Sequence, residues 1–554
     1  MDTPISSWPG SSGPPVAAGG GGGGPDTLGY DAGWKGASLD PTDWTALRAL
    51  GHRMIDDMFD HVSSVRDGPV WRPMPPPLRQ GLRRPLPRGP SPAEAVYREF
   101  QELVQPYATG NLHPRFMGWV HGGGNPVGML AELLAAALNA NLGGRDHAPT
   151  EVERQVIAWA AEMLGFPSDA FGVLVTGTSI ANLIGVLVAR TACLGPSVRR
   201  TGIGGSRLVA YTSAAAHGCL PRAMDMAGLG RDALRMIPFD ERGRMRPDLL
   251  ADRVEQDRAR GLRPFLVVGT AGTVDTGAVD DLTCVADFAA REGLWFHVDG
   301  AYGATAMLAP SLRPLLTGIE RADSVAFDFH KWAQVPYDAG CIVVRDAARQ
   351  IAAFGAEAAY LRREQRGLAG GGIWPCDPGP DLSRGFRALK VWMTLSVYGA
   401  DRLGEVVRQT CDLAAALAER VEREPALELL APVTLNIVCF RFIAANGDLD
   451  RLNADIVADV QEAGIAAPST TMVKGALTIR AAIVNHRTTY DDIEIMVDAV
   501  LAIGRRRVAA AAAKKAPPVM HRGQVYREAS RLGDAGANDP LPALTAGTRA
   551  ALLP

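Results

Sequence analysis

Five short stretches carry side chains that could serve one reaction. "VLVTGTSIANL" places Thr176, Gly177, Thr178 and Ser179 directly before a helical segment, and "YTSAAAHGCL" contains His217. "VVGTAGTVDTG" contributes Thr270 and Thr273, "LWFHVDGAYG" ends on Asp299, and "AFDFHKW" carries His330 and Lys331. A glycine-and-hydroxyl turn at a helix start offers backbone N–H groups and the positive end of the helix dipole, which suits a phosphate. An imidazole can stack on a flat ring, a carboxylate can hold a ring nitrogen protonated, and an amine can attack an aldehyde. Each stretch also has an ordinary reading. Ser179 is a good N-cap, a lone His is more often structural, an Asp after a strand often caps a helix, and a Lys is usually a solvated charge. No Walker loop occurs, and in "GIGGSR" Arg207 stands where a dinucleotide fingerprint needs its third glycine.

The elements that must position these residues are legible as alternating periods. Short apolar runs such as "FGVLVTG", "SRLVAYTS", "RPFLVVGTAG", "LWFHVDG", "DSVAFDF" and "GCIVVRD" are separated by helix-length segments at 179–192, 246–260 and 282–292. That pattern predicts a mainly parallel sheet covered by helices on both faces, whose ligands bind at the carboxyl ends of the strands. Residues 1–38 are rich in Gly, Pro and Ser and are expected to be disordered. Residues 39–125 read as a helical segment, capped by Asp40 or Thr42, followed by a proline-rich wrapping connector. Residues 126–380 form the expected large domain and 381–505 a smaller α+β domain; 506–554 is Ala-rich and expected to be a mobile tail.

Composition narrows the function. Apolar residues make up 47% and charged residues 21%, as in soluble globular chains, and the net charge of −3 gives no field that attracts nucleic acid or an anionic membrane. The N-terminus lacks the basic and apolar regions of a secretory signal, and no apolar run reaches the ~18 residues of a membrane span. Seven scattered cysteines without a C-x-x-C pair argue for reduced thiols in a cytoplasm and against a metal site.

A phosphate cradle, a His, an Asp and a strand-end Lys, all at one predicted sheet edge, are the set that pyridoxal 5′-phosphate (PLP) requires. With "AHGCLPRA", "HVDGAYG" and "FHKW" in place, the chain from roughly Pro41 to Arg505 resembles the group II PLP-dependent amino acid decarboxylases, such as the aromatic-L-amino-acid, histidine and glutamate enzymes. The resemblance implies the α/β fold of aspartate aminotransferase (fold type I) and a homodimer that shares its active sites, with His147 at the subunit boundary. It implies that Lys331 forms the Schiff base, Asp299 pairs with the pyridine nitrogen and His217 stacks on the ring. Thr178 and Ser179 would lie at the phosphate, with His330 beside it, and Thr273 would be a further cofactor-binding residue. Two departures stand out: the aromatic enzymes usually show "NPHKW" where this chain has Asp328 and Phe329, and Val274 follows Thr273 where a second threonine is common.

Tyr360, before the glycine-rich stretch "RGLAGGGIWPCDPGP", matches the lid tyrosine that protonates Cα in the decarboxylases; aldehyde-forming relatives commonly have phenylalanine there. The expected reaction is therefore decarboxylation of an L-amino acid, weakly favoured to be aromatic, to its amine. "NLHPRFMGWVHGGGNP" resembles the segment lining the side-chain pocket, which makes Trp119, Val120 and His121 its walls, with Ser383 and Arg384 near the lid base. A dicarboxylic substrate would need a further cation, for which Arg115 and Arg145 are available. The alternatives are aldehyde formation, carbon–carbon cleavage, a glutamate- or histidine-type decarboxylase, or a catalytically silent binding subunit.

Overall fold

Residues 39–355 and 364–515 are described by a computed structural model. The chain up to Ile55 forms a unit of its own, and Asp56 begins a second, larger unit. In the first, the helix that starts at Trp44 is capped by Asp43, whose Oδ1 accepts from the N–H groups of Thr45 and Ala46 at 2.9 and 3.0 Å. This corrects the expectation of Asp40 or Thr42. Asp43 lies one residue before the helix, where a carboxylate reaches the first free N–H groups.

The larger unit contains two sheets. The first has seven strands: β2 (Phe171–Val175), β3 (Leu208–Ser213), β4 (Leu234–Ile237), β5 (Arg263–Thr270), β6 (Trp295–Asp299), β7 (Ser324–Asp328) and β8 (Gly340–Val344). Their order is β2-β8-β7-β6-β5-β3-β4, parallel throughout except for β8, which runs antiparallel to both neighbours. The interior strands are buried on both faces, so they read as continuous apolar runs. The helix Thr178–Leu194 lies against this sheet and buries ten residues along its length.

Register explains the site. In the parallel ladder Thr270 pairs with Asp299, and Asp299 pairs with Ala326, two residues before Asp328. The carboxyl ends of β5, β6 and β7 therefore lie side by side, and a polar residue ending one strand neighbours the polar end of the next.

The second sheet has the order β1-β11-β12-β10-β9, formed by β1 (Phe116–Met117), β9 (Leu427–Leu429), β10 (Ile437–Phe442), β11 (Ala467–Val473) and β12 (Ala476–Ala482). Its core holds Met117, Phe440, Ile479, Met496 and Val500. The pairing of β1 with β11 ties the chain around residue 116 to this sheet, a two-residue strand too short for any periodicity to reveal. Among the described residues no helix is long and apolar enough to cross a membrane.

Candidate active site

A cavity of about 410 Å³ opens at the carboxyl edge of the seven-stranded sheet, and its walls include Thr178, Ser179, His217, Asp299, His330 and Lys331. Trp119, Val120 and His121 line it as well. A larger cavity of about 680 Å³ lies elsewhere, lined by Trp159, Met163 and Leu395 among others. It lacks this set of ionisable groups, so chemistry rather than size selects the smaller one.

Asp299 ends β6 wholly buried. Its Oδ1 accepts from the Ala301 N–H at 3.1 Å and its Oδ2 from Asn182 Nδ2 at 3.1 Å. Burial pushes this carboxyl above the usual range; Lys331 and the two donors oppose that shift. Behind it runs a chain of partners that the sequence did not disclose. Asn182 Oδ1 lies 2.8 Å from His297 Nε2, and His297 Nδ1 lies 2.8 Å from the Ser324 hydroxyl, which in turn accepts from Trp295 Nε1 at 2.9 Å. Because the Asn182 amide nitrogen is committed to Asp299, its oxygen must accept, which assigns the proton of His297 to Nε2. Burial pushes His297 down to about 4, so the ring is neutral and the chain of hydrogen bonds keeps one direction.

At the next strand end, Lys331 Nζ lies 2.7 Å from Asp328 Oδ2, while Asp328 Oδ1 accepts from the Thr178 N–H at 2.7 Å. His330 accepts from the Ala339 N–H through Nδ1 at 3.0 Å and holds Nε2 3.8 Å from the same carboxylate. Burial keeps His330 below the ordinary histidine value. His217 accepts from the Cys219 N–H through Nδ1 at 3.1 Å and is otherwise exposed to the cavity. The chain from Val120 to Gly124 presses on this turn. A Cβ at Gly122 would meet the carbonyl oxygens of both His330 and Lys331 at 2.4 Å, so only glycine permits the approach.

Aromatic rings form one wall. His121 stacks on Trp119 with centroids 5.9 Å apart and meets Tyr337 edge-on at 5.9 Å; Tyr337 lies 4.2 Å from His330. Trp119 has φ of 51°, a left-handed conformation that a large side chain adopts only when held. Buried Arg480 holds it, donating to the Trp119 carbonyl at 3.0 Å and also to Val274, so β12 of the small sheet braces the cavity wall.

Several expected residues lie elsewhere. The Thr273 hydroxyl accepts from the Ala278 N–H at 3.0 Å and pairs with Thr276 at 3.1 Å within its own turn; Thr270 is the threonine that lines the cavity. Arg384 is buried in an ion pair with Glu153 and donates to the carbonyls of Leu142 and Leu174, which places it, with neighbouring Ser383, outside the cavity lining. Arg115 is engaged by Asp492 and the Ile465 carbonyl, and Arg145 lies over the Trp374 ring at 4.9 Å. Tyr360 lies outside the described residues.

The site suits a phosphorylated aromatic aldehyde by a direct test. Three buried hydroxyls on the cavity, those of Thr178, Thr270 and Tyr302, have no hydrogen-bond partner among the described residues, although buried hydroxyls normally find one. The Thr178 hydroxyl stands at the helix start, where a phosphate oxygen would satisfy it.

Comparison with known proteins agrees. Residues 75–443 match the family described as the pyridoxal-dependent decarboxylase conserved domain. The chain is 33% identical over 466 residues to the aromatic-L-amino-acid decarboxylase of Bacillus atrophaeus, covering 81% of this chain and 94% of that protein. It is 29% identical over 465 residues to the phenylacetaldehyde synthase of Arabidopsis thaliana, covering 81% and 94%. Among solved structures, Oryza sativa TDC with PLP and tryptamine aligns with a TM-score of 0.77 and 27% identity over 85% of this chain and all of that one. The mainly parallel large sheet beside a smaller α+β sheet is the type I fold expected from the sequence, and this chain belongs to the PLP-dependent amino acid decarboxylases, a family of carboxy-lyases.

Proposed function

We propose that the enzyme converts an aromatic L-amino acid to the corresponding amine and carbon dioxide. The observation that carries this reading is that Lys331, Asp299 and His217 share one cavity whose outer wall is the Trp119–His121–Tyr337 aromatic cluster. When bound, PLP supplies an electron sink for the pair left on Cα as carbon dioxide departs. The chain's own residues do the rest. Lys331 would offer the amine that anchors the aldehyde, and Asp299, oriented by Asn182, would accept from the ring nitrogen. His217 would cover the ring face, and Thr178, Ser179 and His330 would hold the phosphate. From their shared turn Thr270, not Thr273, would face the cofactor.

Substrate class follows from charge. Among the described residues lining the cavity, Lys331 is the one Lys or Arg, so a second carboxylate would lack a counter-ion. Flat rings, in contrast, match the aromatic wall. The tryptamine in the rice neighbour carries such a ring. Tyr360 is assigned the proton that Cα receives, which favours amine over aldehyde; the phenylacetaldehyde synthase relative keeps the aldehyde as the second reading.

A homodimer fits the exposed Leu133, Leu134 and Leu138 on the helix Pro126–Leu138, beside Trp392 and Val397 on the helix Arg387–Tyr398. A cytoplasmic location fits seven scattered cysteines without a C-x-x-C pair.

The test is a screen of the standard amino acids for carbon dioxide release, with products identified. Aromatic substrates should yield amine, and Lys331→Ala should lose both turnover and the borohydride-trapped adduct. Ammonia and aldehyde as the main products would transfer the assignment to the second reading.

A further inference from the structure

Asp328 is 1% exposed and its backbone is anchored: its N–H donates to the Ala301 carbonyl at 3.0 Å, and it pairs with Gly340 in the β7–β8 ladder. Its carboxylate occupies two positions that an incoming phosphorylated aldehyde needs. One oxygen takes the first N–H of the helix Thr178–Leu194, and the other takes the Lys331 ammonium. Helix starts bind anions because their N–H groups and dipole favour negative charge, and here the protein supplies that anion itself. A phosphate approaching the same turn meets a buried negative charge at close range, where screening by water and salt is weak. Lys331, meanwhile, must leave its carboxylate partner before its nitrogen can bond to carbon.

From this arrangement we infer that Asp328 is a built-in substitute for the cofactor's phosphate: it closes the anion site in the unloaded chain and must yield for the cofactor to enter, so it weakens cofactor retention. It is a positioning residue, acting through the helix start and through Lys331. The inference rests on the assignment of this cavity to PLP under the proposed function.

Two readouts independent of turnover test it. Cofactor-stripped wild type and Asp328→Asn, a substitution of matching shape without charge, are titrated calorimetrically with inorganic phosphate, PLP and unphosphorylated pyridoxal. Asp328→Asn should bind phosphate and PLP at least about tenfold more tightly than wild type, with a clearly smaller gain for pyridoxal, which shares only the release of Lys331. Asp328→Ser, which also removes the charge, should shift in the same direction, and carries the test if the asparagine variant folds poorly. Equal or weaker phosphate binding by the neutral variants overturns the inference, as does a gain that is equally large for pyridoxal. A wild type that forms no borohydride-stable adduct at Lys331 defeats the cavity assignment itself; a normal adduct with unchanged phosphate affinity in the variants defeats only the role of Asp328.

Discussion

Asn182 links the cofactor-facing carboxylate to a neutral histidine. It donates to Asp299 and accepts from His297, so both groups owe their orientation to one amide. A leucine of similar volume would leave the His297 N–H and one Asp299 oxygen without that partner in a dry interior, at roughly 1–3 kcal/mol for each buried group left unsatisfied. Asn182→Leu is thus expected to lower the thermal midpoint and to raise the PLP dissociation constant about tenfold or more, read from an absorbance titration. Unchanged cofactor affinity would mean that Asp299 holds its position without help. The thiol of Cys219, 3.8 Å from the same Asp299 oxygen, is pushed up to about 12 by burial and the adjacent carboxylate, and stays a neutral neighbour.

At the scale of elements, the helix Thr178–Leu194 matters because it delivers both the anion-binding start and Asn182 one turn later. Its closeness to β6 is set by Gly185, where a Cβ would lie 2.7 Å from the His297 ring. Gly185→Ala removes a helix-weakening glycine, worth up to about 1 kcal/mol in the open, yet forces helix and strand apart, at about 1–3 kcal/mol. The clash dominates, so denaturant unfolding should show net destabilisation, with weakened cofactor binding as the helix start shifts. A stabilised variant would show that this contact has slack. Strand ends such as Asp299 and Lys331 were legible in the sequence, because an abrupt polar residue after an apolar β-run marks a sheet edge. Asn182 and His297 were not, since a polar residue inside a helix or strand carries no mark of whether it faces a neighbour or solvent. Thr270 and Thr273 illustrate the same limit: both sit on one turn, and only the fold decides which hydroxyl faces inward. Tyr337, six residues beyond the lysine, returns to the cavity through a turn that has no periodicity to read.

Across the whole molecule, the two sheets share the cavity through Arg480, and each carries a buried histidine in its vicinity. His297 belongs to β6 of the large sheet; His113, just before β1, accepts from the Arg115 N–H at 3.0 Å. Burial pushes both down to about 4 from the ordinary 6.5, with Arg115 adding to the shift at His113. The unfolded chain therefore takes up these protons first as pH falls. The stability they contribute is complete above about 6.5 and disappears as pH drops toward 4. Between pH 7.5 and 5 each histidine should cost about 2 kcal/mol. Asp280 works in the opposite sense. Burial pushes it up to about 6, so lowering pH through that value relieves an ionised carboxylate and returns about 1 kcal/mol. Asp299, also raised by burial, acts in the same direction as Asp280. The two histidines outweigh Asp280, and the cofactor-free enzyme should unfold at lower denaturant at pH 5 than at pH 7.5. His297→Gln, whatever it does to stability at pH 7.5, should shrink that difference by about 2 kcal/mol, because the group that takes up the proton is gone. A difference that persists in full in the variant would place the acid sensitivity in other groups.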